Sequence, residues 1–600
     1  MPEKKILTPL QKTVNILLLI AAAIAPLKFG VMLLPGIPNA LPGSLWEILL
    51  NAFPPAFFAF YAGIMLVLTL CAYGFPLKIS WKDDCFRLLL TYLALPLVTL
   101  IGFIDADSLE SPIVELEYTL SLSAMAVTVA LVIKANDSGF VRKLLGMICI
   151  GTVLTALWGA HQYFFGFAEM REFLAEEERK GTFIPPEIKA RALDVRTYAT
   201  FTFASALAAM FCLGGALTLC RAHQCGSRFE PQNISQKIFA GSALLLCGGI
   251  FLTTRGRGAF LAVIAAAAVC GFIKLKSGKL KLAVAAGTLL LIVAGAFYIH
   301  YAGRGFGSMT ERVSYLKSSA QMLVNHPLTG DGWGDFAFHH SRHKDMGNEE
   351  LAKDPHNIVA AFAGQCGIAG GLLISWLLLY TLYGAYKNLR RDFSYERMSI
   401  FFGLTAFSIH ALMDLDWQVP ALMFWYMILS FAAFYKAEPA EDNDDDGRSH
   451  RLIGCIALSV VAAVALLGSL HWLAADNAYS NFLQAAGQTP GAAQAAQSRL
   501  TVDAYAQKTL KLMPYSHSVY IAWGNDAMRR GDYATALKRY QTAQKMVPRS
   551  HAIYKSMGDA CERMGDTAQA AVYFRKADEL FPLKKAIYDQ RKQQKSTAEQ

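Results

Sequence analysis

Two arginines in a glycine-rich segment could bind a phosphate group: Arg255 and Arg257, in LTTRGRGAFLAV at 252–263. The segment separates two apolar runs, and arginine near hydrocarbon is costly unless it snorkels to the interface or serves a function. Gly256 and Gly258 would permit a tight turn, and the next helix would point its positive N-terminal end at the same place. Guanidinium groups beside a helix N-terminus can form a phosphate-binding site. An interfacial snorkelling pair fits the same residues.

A third arginine and a histidine lie in the long hydrophilic stretch at about 298–365. Arg312 stands in RGFGSMTERVSYLKSSAQML, whose periodicity predicts a helix, and the following NHPLTGDGWGDF predicts a turn shaped by glycine and proline. His356 and Asn357 stand in DPHNIVAAF, directly before the next apolar run. Imidazole can take a proton from an attacking hydroxyl near neutral pH, although a lone histidine is more often a structural hydrogen-bond partner.

Two further histidine groups have structural alternatives. His339 and His343 in HHSRH are one helical turn apart, as metal ligands would be, but no set of Asp, Glu or Cys with recognisable spacing accompanies them. We therefore expect an exposed polar helix there and no metal. In HALMDLDWQVP, His410 lies one turn before Asp414, which predicts a hydrogen-bonded pair on one helical face, with substrate orientation as the alternative role.

The composition indicates that membrane spans position these residues. Of the 600 residues, 54% are hydrophobic and 17% are charged, and the mean hydropathy of +0.32 excludes an ordinary soluble enzyme. The net charge of +10 does not indicate nucleic-acid binding here, because Lys and Arg collect in the cytoplasmic loops of membrane proteins. The eleven cysteines show neither CxxC pairs nor metal spacing, so no disulfide or zinc site is expected.

Apolar runs long enough to cross a hydrocarbon core of ~30 Å recur along the first three-quarters of the chain. They predict an all-α polytopic membrane protein of about 12–13 transmembrane helices. Thirteen such runs lie at 13–34, 56–76, 86–104, 116–134, 143–163, 199–220, 236–254, 258–275, 280–300, 366–386, 398–414, 418–435 and 452–474.

The distribution of cations assigns the loops to two faces. Lys and Arg cluster before the first span and after the second, fourth, sixth, eighth and tenth, which places that face in the cytoplasm. The opposite loops lack cations or are acidic, except for 164–198, the turn at 254–257 and the long loop at 298–365. The arginines on this external face, Arg196 in the first of these loops among them, therefore require a functional explanation.

The C-terminal region predicts a helical repeat. MPYSHSVYIAWGNDAMRRGDYATALKRYQTAQKMVP is followed at a 34-residue offset by VPRSHAIYKSMGDACERMGDTAQAAVYFRKADELFP, so that Gly524 matches Gly558. This pattern resembles the tetratricopeptide repeat, a helix–turn–helix unit that stacks into arrays. We therefore predict a transmembrane domain at 1–475 and periplasmic repeats at 476–600, which bind a protein partner or form a structural cap.

Five segments together resemble the O-antigen ligase and polymerase superfamily. They are, in chain order, VRTYATFTFASALAA, GRGAFLAV, RVSYLKSSAQMLVNHPLTGDGWGDF, DPHNIVAAFAGQCGIAGG and HALMDLDWQVPALMFW. The first resembles the family's Arg…Thr-Phe segment, except that Phe203-Ala204-Ser205 replaces the usual Asn-Pro-Asn. The resemblance depends on the order of the five segments and on their common placement on the external face.

The resemblance implies a metal-independent, inverting membrane glycosyltransferase that needs no cofactor. Such enzymes move a glycan from a polyprenyl-diphosphate carrier to an acceptor hydroxyl at the periplasmic face. Arg257 and Arg312 match the family's arginines and would stabilise the diphosphate. His356 matches the loop histidine proposed as the base. The candidates for diphosphate or glycan contacts are Arg255, Arg196, Asn357, His410 and Asp414.

The leading prediction is a ligase of the bacterial inner membrane that joins an undecaprenyl-linked glycan to lipid A-core. A polysaccharide polymerase and a protein O-oligosaccharyltransferase fit the same motifs. A transporter would place charges within the spans and repeat internally, whereas the charges here gather at one face. The expected partners are the lipid-linked donor, the acceptor, membrane lipids and, through the repeats, a protein; nucleic acid is not expected.

Overall fold

The fold is a bundle of apolar helices joined to a smaller array of helices. The computed structural model describes residues 7–34, 36–38, 41–74, 83–180, 184, 186–227, 234–282, 286–287, 307–344, 352–435, 448–487 and 495–582. Every regular element in these ranges is helical. The predicted all-α fold is therefore confirmed.

The described helices fall into those of the bundle and those of the C-terminal array. Those of the bundle are α1 Pro9–Lys28, α2 Leu45–Leu50, α3 Pro55–Tyr73, α4 Asp84–Ile101, α5 Glu110–Ala135, α6 Ser138–His161, α7 Phe167–Arg179, α8 Pro186–Asp194, α9 Ala204–Ser227, α10 Ile234–Thr253, α11 Arg257–Lys274, α12 Gly307–Asn325, α13 Phe336–His343, α14 Ile358–Arg391, α15 Tyr395–His410 and α16 Pro420–Phe434. The C-terminal helices are α17 Arg448–Gly487, α18 Ala495–Leu512, α19 His517–Arg529, α20 Tyr533–Met546, α21 His551–Arg563 and α22 Thr567–Leu580.

Nine of the described helices are long and apolar enough to cross a membrane. Twelve of the thirteen predicted spans coincide with a described helix, and the predicted span at 280–300 lies mostly outside the described residues. Helices α10, α15 and α16 coincide with predicted spans but are not among the nine; α15 and α16 have 16 and 15 residues. The chain is a multi-pass membrane protein.

The short helix α16 lies in the interior of the bundle. All of its fifteen residues are buried, so it is surrounded by other helices and not by lipid. Its neighbour α5 is buried along most of its length and carries hydroxyl groups into the core. Thr119, Ser123 and Thr128 donate to carbonyls one turn earlier in α5, at 2.9, 3.0 and 3.1 Å, which satisfies these buried polar groups within the helix.

The predicted external loops meet at one end of the bundle. Backbone hydrogen bonds join them there, from Leu33 N to Gln418 O at 2.8 Å and from Ile358 N to Ala411 O at 3.0 Å. The opposite end carries the predicted cytoplasmic cations and has the ion pairs Lys134–Asp83, Arg221–Glu396 and Lys387–Asp84.

Helix α17 connects the bundle to the C-terminal helices. Its 40 residues give it a length of about 60 Å, twice the thickness of a hydrocarbon core. Its earlier part packs on α3 and α5, and its later residues Tyr479 and Phe482 share a core with Val519 of α19. The boundary predicted between residues 475 and 476 falls inside this continuous helix.

The C-terminal helices form two matching pairs. The first pair starts at His517 and the second at His551, which is the predicted 34-residue offset. A Cβ added at Gly524 would lie 2.4 Å from Cε1 of Tyr540, and one at Gly558 would lie 2.5 Å from Cε1 of Phe574. The matched glycines therefore let the two helices of each pair touch.

Candidate functional site

The turn between α10 and α11 carries two of the predicted arginines. Arg255 has a φ of +51°, which is uncommon for a residue other than glycine, whereas φ of Gly256 is −75°. The left-handed residue of this turn is therefore Arg255, whereas Gly256 permits a close approach, since a Cβ added there would lie 3.0 Å from Cβ of Ala208. Both Arg255 and Arg257 are exposed.

Arg257 is the first residue of α11, where the unpaired N–H groups of the helix carry partial positive charge. This first turn lies beside the end of α15. A Cβ added at Gly258 would be 3.5 Å from Nε2 of His410 and 3.8 Å from Cβ of Met413. The packing thus brings the N-terminus of α11 against the residues that follow α15.

Arg196 and Arg255 share one carboxylate. Asp194 lies 3.9 Å from Nε of Arg196 and 3.8 Å from Nη1 of Arg255. Nε of Arg196 also donates to the carbonyl of Thr254 at 3.1 Å. Because the Arg255 and Asp194 side chains are more than half exposed, the ion pairs contribute little stability. Arg196, in the segment before α9, therefore contacts the turn between α10 and α11 that carries Arg255.

Arg312 lies on the predicted helix of the long loop, which is α12. Its Nε donates to the backbone carbonyl of Met413 at 2.9 Å, and its Nη2 lies 3.9 Å from Oδ2 of Asp414. Of the predicted loop at 298–365, residues 307–344 and 352–365 are described. Arg312 therefore joins this loop to the segment after α15.

His356 lies before α14 in an unusual backbone conformation. Its φ is +54°, and its N–H donates to Oδ1 of Asp354 at 3.0 Å. Nδ1 of its ring is 3.5 Å from Oδ1 of Asp414, and the ring stacks on Tyr315 with centroids 5.6 Å apart. Left-handed backbone outside glycine is found preferentially at functional sites, where the surrounding contacts hold it in place.

The surroundings shift the pKa values of this group of residues. Burial lowers the pKa of His356, but the Asp414 carboxylate outweighs this and raises it above the usual value. Burial alone would raise the pKa of Asp414, whereas its contact with His356 and the charge of His410 hold it well below the usual range. Burial raises the pKa of Asp354 to about 7. The arrangement is that of a histidine whose basicity is increased by a neighbouring carboxylate.

Asn357 has structural hydrogen bonds at both ends of its amide. Oδ1 accepts from the N–H of Ala360 at 2.9 Å and caps α14, while Nδ2 donates to the carbonyl of Leu412 at 2.8 Å. These bonds tie the start of α14, and with it His356, to the segment after α15.

Arg312, His356 and Asn357 all contact the turn at 411–416. His410 was predicted to pair with Asp414, and this prediction is wrong: Nδ1 of His410 lies 2.5 Å from Oδ2 of Asp416. Helix α15 ends at His410, so the four-residue helical spacing does not extend to Asp414. Asp414 instead lies between Arg312 and His356.

The histidines of α13 differ from the expected exposed helix. His339 is buried, and its Nδ1 lies 3.3 Å from Oδ2 of Asp331, whereas His343 is exposed. The expectation is therefore wrong for His339. Within the part of the chain that the structure describes, no group of three or more His, Cys, Asp or Glu side chains is arranged to hold a metal ion.

Sequence comparison adds an independent observation. Residues 242–375 match the family model described as O-antigen ligase. The resemblance to the O-antigen ligase superfamily is confirmed over this segment. No curated protein matches the chain.

The O-antigen ligase segment covers less than a quarter of the chain and runs from α10 into α14. It contains Arg255, Arg257, Arg312, His356 and Asn357. Arg196 and the 411–416 turn lie outside it, and the fold brings both to its residues. Over this segment the match supports a glycosyltransferase related to the O-antigen ligases.

Sequence reasoning missed two members of the candidate site. Tyr315 is buried and supports the ring of His356, and Asp354 binds the backbone of the same residue. Tyr315 lies three residues after Arg312, so both occupy one face of α12, and this spacing was the available signal. Asp354 lies two residues before His356, a spacing that favours a side-chain hydrogen bond to the backbone N–H.

Proposed function

We propose that the chain is an O-antigen ligase-like glycosyltransferase of the bacterial inner membrane. It would move a glycan from an undecaprenyl-diphosphate carrier to a hydroxyl of lipid A-core at the periplasmic face. The family match at 242–375 and the membrane-spanning helices support this proposal. The observation on which it depends most is the meeting of Arg312, His356 and Asp414 at one turn.

In the proposed reaction, the acceptor oxygen attacks the anomeric carbon of the glycan. The bond between that carbon and the diphosphate oxygen breaks, and the diphosphate leaves with the electron pair. The acceptor proton passes to Nε2 of His356, because Nδ1 faces Asp414. Attack from the side opposite the leaving group inverts the anomeric centre. The proposal requires no metal and no cofactor.

Arginines would stabilise the charge that grows on the departing diphosphate. The Met413 carbonyl orients the guanidinium of Arg312 toward the turn that also holds His356. Arg257 lies in the first helical turn of α11, which packs beside the segment after α15, and its side chain is exposed. Arg255 lies two residues earlier and is also exposed. Cations and helix N–H groups that are in place before the reaction stabilise charge without further rearrangement.

The cation distribution supports the proposed orientation. The site lies at the end of the bundle opposite the loops rich in Lys and Arg, which the positive-inside rule assigns to the cytoplasm. The tetratricopeptide-like repeats at 476–600 would then be periplasmic. Besides donor, acceptor and lipid, a protein partner could bind their free surface.

A deletion strain of the source bacterium tests the proposed acceptor. We expect loss of glycan from lipid A-core together with accumulation of the undecaprenyl-linked glycan, measured by profiling lipopolysaccharide, exopolysaccharide and glycoproteins. Normal glycan length on lipid A-core in the deletion strain would contradict the ligase proposal. Shortened polysaccharide would indicate a polymerase, and loss of protein-linked glycan would indicate a protein O-oligosaccharyltransferase.

Replacing Asp414 with Asn is expected to shift the pH dependence of transfer. The Asp414 carboxylate raises the pKa of His356, so the neutral base of the wild-type enzyme is populated only above that raised value. Without the carboxylate the pKa falls, and the acidic limb of the pH–rate profile moves to lower pH. The measurement is kcat/KM against pH in vesicles with purified donor and acceptor. An acidic limb at the wild-type position would show that His356 is not the titrating base.

A further inference from the structure

Arg549 joins the C-terminal helices to the long loop, which they also contact through Phe338 and through Lys344, whose Nζ lies 4.7 Å from the ring centroid of Phe581. Arg549, which precedes α21, contacts three carboxylates: its Nε lies 2.7 Å from Asp107, its Nη1 3.2 Å from Asp331 and its Nη2 2.5 Å from Asp335. Asp331 and Asp335 are buried, and the N–H of Asp107 donates to Oδ2 of Asp335 at 2.8 Å. Removal of one partner from such a group leaves buried charges uncompensated.

A second contact lies at the start of the other helix pair. Nδ1 of His517 is 3.0 Å from Oε2 of Glu110 and 2.9 Å from Oγ of Ser108, and the N–H of Ser518 donates to the same Glu110 oxygen at 3.2 Å. His517 and Arg549 both stand at the N-terminal ends of the first helices of the pairs. One edge of the C-terminal array therefore faces the end of the bundle that carries the candidate site.

Two of the three carboxylates that Arg549 binds, Asp331 and Asp335, belong to the glycine-rich turn at 326–335. Gly332 has a φ of +93°, and a Cβ added there would lie 2.4 Å from Cα of Ala106, so the turn requires glycine and fits closely against the neighbouring loop. Its Asp331 N–H donates to the carbonyl of Gly364 in α14 at 2.9 Å. The turn thus joins the C-terminal array to the helix that follows His356.

A packed path leads from this turn to the candidate base. Asp335 immediately precedes α13, whose Phe336 and His340 pack on Tyr315 with ring centroids 6.3 and 5.0 Å apart. Tyr315 in turn stacks on His356. Side chains that are almost completely buried therefore connect the start of α13 with the imidazole of His356.

We propose that Arg549 is a positioning residue, through which the C-terminal array clamps the 326–335 turn and holds the ring of His356 in place. The array is then a structural part of the active site, in addition to any surface it offers to a partner. The role in catalysis rests on the proposed function of His356, whereas the clamp itself can be tested without a substrate.

The test compares the full chain with Arg549→Ala in lipid nanodiscs. In the variant we expect amide hydrogen exchange of 326–343 to rise and acylation of His356 by diethyl pyrocarbonate, followed by mass spectrometry, to accelerate about tenfold. Exchange in the core helices α5 and α16 should stay at the wild-type level, which shows that the bundle remains folded. Unchanged exchange of 326–343, or unchanged acylation of His356, would overturn the proposal.

Two variants serve as controls. Lys555→Ala removes an exposed cation of α21 that pairs with Asp559 of the same helix, so both rates should equal the wild type. Arg549→Lys keeps one charge without the fork of the guanidinium, and both rates should be intermediate. If Arg549→Ala does not fold, Arg549→Lys carries the test, and wild-type rates in it would overturn the clamp. If the rates change while His356→Ala retains full transfer, the clamp stands and the proposed function fails.

Discussion

Replacing His356 with Ala is expected to slow glycan transfer by about 10²–10⁴-fold, the usual contribution of a general base. The reason is that the acceptor hydroxyl would lose the group proposed to remove its proton, while the arginines proposed to bind the diphosphate remain. Donor binding should therefore be unchanged. The measurement is single-turnover transfer from lipid-linked donor in vesicles, with donor binding measured separately.

His356→Asn is a useful second variant, because asparagine tolerates the left-handed backbone that His356 adopts and cannot act as the base. It should be as inactive as the alanine variant. His343→Ala is the matched control, since this histidine lies in the same loop but is exposed, and it should transfer at the wild-type rate. Full activity of both His356 variants would show that another group takes the proton.

Replacing Arg312 with Ala is expected to slow transfer by about 10²–10³-fold, the loss seen when one preorganised donor to a developing anion is removed. Arg312→Lys should recover part of this loss, because lysine keeps the charge but lacks the planar fork that binds phosphate oxygens and the Met413 carbonyl together. Both rates are measured in the same single-turnover assay as for His356.

Two comparisons show whether the effect depends on position. Lys317→Ala removes an exposed cation from the same helix and should leave transfer unchanged. Arg257→Ala should slow transfer to a similar extent as Arg312→Ala, because both arginines are proposed to contact one diphosphate. If Lys317→Ala slowed transfer as much as Arg312→Ala, the effect would be a general electrostatic one, and a specific diphosphate-binding site would be contradicted.

The sequence predicted the local elements around the candidate residues well and the partners of these residues poorly. Arg312 was placed on a helix and His356 directly before a span, and both placements are confirmed. The pairing of His410 was wrong because the helix ends at His410, and the chain then turns so that Asp416, not Asp414, reaches the imidazole. Helical spacing is informative only as far as the helix extends.

The sequence by itself determined the helices, the two faces of the bundle and the 34-residue offset of the C-terminal pairs. These features depend on hydropathy, charge and spacing between near neighbours, which can be read along the chain. Only the tertiary structure decided that Asp414 lies between Arg312 and His356, and that Arg549 reaches Asp107 across 442 residues. Such contacts depend on how helices distant in sequence pack and on where each loop ends. No local pattern encodes either.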